Sequence, residues 1–271
     1  MYVWTSLLFG LLVSSCNAQP ITAPTEQKGA LQLVTMTYNI RHGEGADGVV
    51  NLQRIANVIL AAQPDLVAIQ EVDQGVARTE RVDQAAILAD LTGMHMRFGF
   101  ADVYQGGDFG NVILSRVPID TLQLYPLPGP PGETRVLMAT KVRFPLKDEE
   151  IPVTFMSTHL ETIEAPRKEA AQRIAELMPE MPEELFVLGG DLNATPNAAT
   201  LDTLASKFVI PTLKSHVFTH PANNPARQID HILYAGPNTW TIDDVYTLNA
   251  PISSDHLPLV TVFTYTPQST P

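Results

Sequence analysis

Residues 31–40 read Leu-Gln-Leu-Val-Thr-Met-Thr-Tyr-Asn-Ile, alternating apolar and polar positions. That period of two predicts a strand. A glycine-rich loop, Arg41 to Gly48, follows. Leu52, Ile55, Ala56, Ile59 and Leu60 then recur at helical spacing, and the helix must stop before Pro64. Residues 65–71 are almost wholly apolar between their ends, the pattern of a strand buried on both faces. Residues 83–92 predict a second helix, closed by Gly93. Strands are predicted at 95–100, 111–115, 136–144 and 152–160, and a helix at 166–178 with Pro166 in its first turn. Residues 185–191 form another buried strand, and 228–234, 240–248 and 258–264 complete the set. The proline-rich run Tyr125 to Gly132 reads as a rigid surface loop. Roughly ten strands against three or four helices, mixed along the chain, mean α/β or α+β with more than one sheet. No internal repeat or domain boundary interrupts the pattern.

The chain has 271 residues, 45% hydrophobic and 17% charged, which suits a globular domain with a large core. The net charge of −12 argues against avid, sequence-blind nucleic-acid binding, which needs Lys and Arg to neutralise phosphates. It suits a protein that holds divalent cations through carboxylates. Cys16 is the single cysteine, so a disulfide within the chain and a cysteine zinc site are excluded. Residues 2–15 are apolar or small and uncharged, too short for a membrane span and of the length of a signal-peptide core. They end in Val13-Ser14-Ser15-Cys16, which resembles a lipobox, although residues 1–4 lack a basic residue. The expectation is a signal segment at 1–18 with Cys16 as a lipid-carrying N-terminus, or simple cleavage near Ala18. A tether at 19–30, a domain at 31–265 and a tail at 266–271 follow.

Polar residues gather at the ends of the predicted buried strands. Asn39, Glu71, His159, Asp191 with Asn193, Asp230, and Asp255 with His256 all sit there. A carboxylate directly after four apolar residues is costly unless it is paired or binds a metal. Any single case is a cap or a solvated strand end. Several from separate strands predict a site, because ligands of α/β proteins gather at such ends.

Seven motifs occur in order: Thr37-Tyr38-Asn39-Ile40, Gln70-Glu71-Val72-Asp73, Asn111 to Arg116, Ser157-Thr158-His159-Leu160, Gly189-Gly190-Asp191-Leu192-Asn193, Ile229-Asp230-His231-Ile232 and Ser254-Asp255-His256-Leu257-Pro258. Together, across residues 31–265, they resemble the endonuclease/exonuclease/phosphatase (DNase I-like) superfamily of metal-dependent phosphohydrolases. The resemblance implies a four-layer α/β sandwich, two mixed β-sheets packed face to face with helices outside. It implies Mg²⁺ or Mn²⁺ as cofactor, with Glu71 as principal ligand and Asn39 and Asp255 beside it. Hard oxygen donors suit these ions. Asp191 would orient or deprotonate the attacking water or serve the leaving group, and Asn193 and His159 would donate to phosphoryl oxygens. Asp230 would hold His256 in one tautomer and favour its charged form.

Two departures lean away from the abasic-site endonuclease branch: His159 stands where that branch carries an amide, and Arg41 where it often has an acid. A single metal is expected. Arg41, Arg78 and Arg135 are candidates to contact substrate phosphate, with a surface or ion-pair role as the alternative for each. His42, just after Asn39, is a candidate to line the pocket. His95 is expected on a strand face, His216 and His220 on a loop, and His231 on the strand face opposite Asp230.

The expected activity is extracytoplasmic, metal-assisted, in-line hydrolysis of a phosphoester, most simply a phosphodiester. Nucleic acid, a phospholipid head group and a phosphorylated polyol remain open as substrates, and the protein is expected to act as a monomer. The rivals are an inactive binding protein on the same fold and a structural envelope lipoprotein. Retention of all eight site residues speaks against the first, and the second gives no reason for polar residues at so many buried strand ends.

Overall fold

The computed structural model describes residues 26–27, 29–130, 132–179, 184–211 and 217–267. The expected signal segment with Cys16, most of the expected tether, His216 and most of the tail lie outside the described residues. The first half of the chain carries β1 (Glu26–Gln27), β2 (Ala30–Asn39), α1 (Leu52–Ala62), β3 (Leu66–Gln74), α2 (Gln84–Thr92), β4 (His95–Tyr104), β5 (Gly107–Ser115) and β6 (Ile119–Leu127). The second half carries β7 (Arg135–Leu146), β8 (Glu149–His159), α3 (Glu164–Leu177), β9 (Leu185–Asp191), α4 (Ala199–Leu204), β10 (Asp230–Ala235), β11 (Trp240–Thr247) and β12 (Leu259–Tyr265).

One sheet runs β11-β12-β2-β3-β5-β4, with β1 paired to β2, and the other runs β10-β9-β8-β7-β6. Both are mixed: β2–β3 and β8–β9 are parallel and their neighbours antiparallel. The sheets pack face to face through Leu33, Ala68, Met138, Phe155, Val187 and Phe263, all buried. Ile55, Ile59 and Leu88 of α1 and α2 cover the outer face of the first sheet. Ile174 and Leu201 of α3 and α4 cover the second. The result is the four-layer sandwich expected. Each buried aliphatic or aromatic side chain contributes about 1.5–3 kcal/mol, so polar groups are tolerated only where strands end or pair with one another.

The helix limits follow local chemistry. The Asn51 side chain accepts from the Arg54 amide to start α1, and Gln63 in the left-handed region ends it before Pro64. Asp83 caps α2 through the Ala86 amide, and Gly93 closes it. The sequence reading missed three elements. Strand β6 is an edge strand with most side chains exposed and Pro126 inside it, which edge position permits. The proline-rich loop expected at 125–132 therefore starts only after Leu127. Helix α4 has six residues, too few for a periodic signal. Glu26–Gln27 pair antiparallel with Ala30–Leu31, so the segment expected as tether supplies a two-residue strand.

His231 is fully buried on β10 and its Nε2 lies 2.8 Å from the Ala194 carbonyl, the structural role expected. Burial drives its pKa down to about 4. A depressed folded-state value adds stability that is complete above the unfolded value of about 6.5 and is lost as pH falls through 4. Urea unfolding at stepped pH should show a loss of about 2–3 kcal/mol over that window. His231→Gln, which keeps a donor for Ala194 but cannot titrate, should flatten that slope. An unchanged slope would assign the acid loss to other groups.

Candidate active site

The C-terminal ends of β2, β3, β8 and β9 lie at one edge of the sandwich, and β10 begins there, with Asp230 in register with Asp191. Asn39, Glu71, His159, Asp191 and Asp230 are thereby delivered to one place, as are Asn193 and the Asp255-His256 loop. The glycines before Asp191 allow it. A Cβ on Gly189 would stand 3.0 Å from the Ala68 Cβ on the facing sheet, and one on Gly190 2.3 Å from the Thr158 carbonyl oxygen. Beneath the site a polar link crosses the sheets: Thr37 Oγ1 donates to Gln70 Oε1, and Gln70 Nε2 to Ser157 Oγ, each at 3.3 Å.

Glu71 owes its direction to a β-bulge. Ile69 pairs with Val112 and Val72 with Gly110, so β3 carries one extra residue against β5. Ile69 and Val72 both face the helices, and Glu71 is the inserted residue, at φ +58°. Without the insertion position 71 would continue the helix-facing row. Asn193 and Arg41 share the left-handed region, each at φ 47°. Strained non-glycine backbone of this kind costs about 1–3 kcal/mol per residue and clusters where function holds it.

The side chains form one network. Asn39 Nδ2 donates to Glu71 Oε1 (2.9 Å) and to Asp191 Oδ2 (3.0 Å). Its Oδ1 accepts from the Arg41 amide, so Asn39 acts here as a donor between two carboxylates rather than as an open oxygen ligand. His159 Nε2 and His256 Nε2 lie 3.6 and 3.7 Å from the same Asp191 oxygen. Asp191 Oδ1 accepts from the Asn193 amide. Asn193 Nδ2 donates to the Leu160 carbonyl and stands 3.2 Å from His159 Nε2. An amide nitrogen only donates, so that ring nitrogen accepts. His256 Nδ1 donates to Asp230 Oδ2 at 2.8 Å. Ser254 Oγ ties the Asp255-His256 loop to the Asn39 carbonyl.

Burial sets the electrostatics, and neighbours correct it. Burial raises the Asp191 pKa, and the Asp230 charge pushes the same way. Burial alone would raise Asp230 and lower His256, but their mutual attraction prevails. Asp230 stays below the usual carboxylate range, and His256 rises to about 10. Burial lowers His159, against the pull of Asp191. The site thus holds an unusually basic carboxylate beside an imidazolium and a neutral imidazole.

Among the expected metal residues, Glu71 and Asn39 meet directly. Asp255 groups instead with His220 and His256, and its carboxylate lies 3.9 Å from Arg41 Nε. The three arginines weighed for substrate phosphate are all in ion pairs, the alternative given for each. Arg41 pairs with Glu44 at 3.2 Å and is not among the cleft-lining residues. Arg78 is held by both oxygens of Asp73 (2.8 and 2.9 Å) and lies over the Tyr104 ring at 4.5 Å, on the cleft wall. Arg135 lines the cleft in an ion pair with Glu161. His42, weighed as a pocket residue, does not line the cleft; its Nε2 lies 3.6 Å from Glu44. His95 is on the exposed face of β4 as expected.

The cleft measures about 1220 Å³ and includes residues the sequence reading left aside. His220 is one, with its ring 4.7 Å from His256 and its Nδ1 2.8 Å from Arg227 Nη2. Burial, then the charges of His256 and Arg227, lower its pKa. Tyr104, Phe109 and Arg167 are others. The only signal for His220 was its place ten residues before Asp230, which carries no spacing rule.

The fold has many solved counterparts. A structure from Beutenbergia cavernae DSM 12333, described as an endonuclease/exonuclease/phosphatase, is 23% identical with a TM-score of 0.69 and matches 86% of this chain and 72% of its own. A mannosyl-6-phosphatase from Bacteroides thetaiotaomicron VPI-5482 is 18% identical with a TM-score of 0.63, covering 84% and 98%. D. rerio TDP2 complexed with single strand DNA product is 17% identical with a TM-score of 0.66, covering 86% and 98%. Among curated proteins none matches the chain. Residues 36–256, which hold every residue of the network above, match the Endonuclease/Exonuclease/phosphatase family model, and the chain belongs to that family.

Proposed function

We propose that the protein is a divalent-metal-dependent phosphohydrolase, acting on a phosphodiester outside the cytoplasm. One observation carries this reading: Glu71 Oε1 and Asp191 Oδ2 converge on one amide nitrogen, with two histidine rings within 3.7 Å of the second oxygen. Two carboxylates brought together on buried strand ends fit a hard cation such as Mg²⁺ or Mn²⁺, which takes oxygen donors and keeps several waters. Glu71 would hold the ion, with Asn39 and the Asp255 loop beside it. When bound, the ion supplies charge neutralisation at the phosphoryl oxygens.

The chain's own residues supply the rest. Asp191, made more basic by burial and by Asp230, takes a proton from the attacking water. His256, kept charged by Asp230, stabilises the extra negative charge of the transition state. His159 lies beside Asp191 Oδ2, and Asn193 Nδ2 stands 3.2 Å from the His159 ring, so the two would orient the phosphoryl group together. Arg78, Arg135, Arg167 and Arg227 line the cleft beside Glu71, Asp102, Glu133, Glu161 and Asp191, so the lining is not cationic overall and a bound cation would be needed to draw an anionic substrate in. The fold carries both a sugar phosphatase and a DNA-product complex among its neighbours, so nucleic acid, phospholipid head groups and polyol phosphates are the substrates to compare. The uncharged run ending at Cys16 supports export and lipid anchoring.

Purified protein should be assayed with Mg²⁺ or Mn²⁺, and with EDTA, on plasmid DNA, sphingomyelin and a phosphoinositide side by side. Metal-dependent turnover of one of them is the expected result. Turnover unaffected by EDTA would remove the metal from the reading. Glu71→Gln should raise the metal concentration for half-maximal rate by about tenfold or more, since one anionic ligand is lost. An unchanged requirement would move the principal ligand elsewhere.

A further inference from the structure

The loop before β10 folds back on itself around His220 and Arg227. The two residues form an isolated antiparallel bridge, with His220 N to Arg227 O at 3.0 Å and Arg227 N to His220 O at 2.9 Å. The same loop is bonded on both sides of His256. The Ala222 amide donates to the Asp255 carbonyl, and the Leu257 amide to the Thr219 carbonyl, each at 2.7 Å. The backbone thus holds the His220 ring against the His256 ring, 4.7 Å between centroids. Across the ring, Arg227 Nη2 lies 2.8 Å from His220 Nδ1. A guanidinium donates and never accepts, so Nδ1 accepts and the ring's proton sits on Nε2. His220 and Arg227 both line the cleft. The sequence reading gave His220 only a loop position, and none of the roles assigned above uses it.

Its place relative to the reacting centre follows from depth. Asp191, to which the proton of the attacking water is assigned above, is 1% exposed at the cleft floor, so the water sits at that depth. His220 is half-buried and Arg227 exposed, toward the mouth. In-line displacement puts the attacking water and the leaving group on opposite sides of phosphorus. With the water at the floor, the leaving group faces the mouth.

We propose that His220 is a further catalytic residue, whose Nε2–H donates a hydrogen bond to the leaving-group oxygen of the phosphoester, and that Arg227 is the positioning residue that fixes this tautomer. The inference rests on the phosphohydrolase reading. In the step, the water oxygen bonds to phosphorus and its proton passes to Asp191. The bond from phosphorus to the leaving oxygen breaks, and that oxygen carries away the electron pair. A neutral imidazole does not surrender its remaining proton at neutral pH. His220 therefore stabilises the departing oxyanion by hydrogen bonding, and solvent protonates it after release.

Such a donor helps a basic leaving oxygen more than a weakly basic one. The test compares methyl phenyl phosphate with methyl p-nitrophenyl phosphate, metal present, for wild type, His220→Ala, His220→Gln and Arg227→Met. His220→Ala should lose about 100-fold in kcat on the phenyl ester, the cost of one transition-state donor, and about tenfold or less on the nitrophenyl ester. His220→Gln, whose amide nitrogen can replace Nε2–H, should recover most of the loss. Arg227→Met should show the same leaving-group bias at smaller size. Equal losses on both esters, or no loss, would overturn the inference while leaving the phosphohydrolase reading intact. Wild-type inactivity on both esters and on the three natural substrates above would overturn both. Nitrogen NMR of the folded wild type gives a reading independent of activity and of variant folding. Nδ1 of His220 should be unprotonated and Nε2 protonated, and a protonated Nδ1 would also overturn the assignment.

Discussion

Asp191→Asn is expected to lower kcat by about 10³-fold or more while leaving the fold in place, because positioned general base catalysis contributes about 10²–10⁴-fold and an amide cannot accept the water's proton. The side chain is nearly isosteric and 1% exposed, so packing is unchanged. Two electrostatic effects oppose each other. Removing the charge relieves repulsion between Asp191 and Asp230, which raises the Asp191 pKa in wild type. It also weakens the bond from Asn39 Nδ2 and the attraction of the His256 imidazolium. The midpoint of thermal unfolding should therefore move by only a few degrees. Metal affinity, measured by calorimetry, should stay close to wild type if Glu71 is the main ligand. A variant within tenfold of wild-type kcat would remove Asp191 from the role of base, and a large fall in metal affinity with it would make Asp191 a ligand instead.

Much of this site was legible because strand ends are legible. Runs such as Leu66-Val-Ala-Ile before Gln70-Glu71, and Leu185-Phe-Val-Leu before Gly189-Gly190-Asp191, are apolar enough to mark buried strands. Polar residues that end such runs have to converge with others or be solvated. The helices around β2 and β3 were legible through apolar spacing and their stops, Pro64 and Gly93. What escaped lacks a periodic or steric signature. Strand β6 is exposed and interrupted by Pro126, so its composition imitates a loop. The bulge that redirects Glu71 depends on pairing between β3 and β5, which no local pattern encodes. Arg41 was open to either a substrate contact or an ion pair, and its left-handed backbone sets it beside Glu44, a pairing that depends on a local turn no spacing rule encodes. His220 reaches the site only because its loop bonds to the segment around His256, a contact between residues 33 positions apart in the case of Ala222 and Asp255.

A large stability loss is expected from His256→Ala. Asp230 is fully buried, its Oδ2 is held by His256, and its Oδ1 has no partner among the described residues. Removing the imidazolium leaves a buried carboxylate without its counter-charge, which costs about 3–5 kcal/mol at neutral pH. Most of that loss should return in Asp230→Asn/His256→Ala, because both variants share the cavity and only the first keeps the stranded charge. Unfolding in urea with EDTA present isolates the pair from any bound metal. The pH dependence fixes the sign. In wild type, His256 has a folded pKa of about 10, raised from 6.5, so its stabilisation is complete below 6.5 and is lost as pH rises through 10. In His256→Ala, the Asp230 pKa is no longer held down by its partner, and burial raises it. Stability should then decline already as pH climbs through the carboxylate range, and the alkaline loss seen in wild type should vanish. Activity separates from stability in the same set. The double variant should fold well and still turn over at least 10³-fold more slowly than wild type, because the cation that faces the phosphoryl group is gone. Asp230→Asn alone should keep the ring but lower its pKa, since burial is then opposed only by Asp191 and Asp255, and the alkaline limb of its pH–rate profile should move to lower pH. A double variant as unstable as His256→Ala would mean that the imidazole's packing, rather than its charge, is what the Asp230 pocket requires.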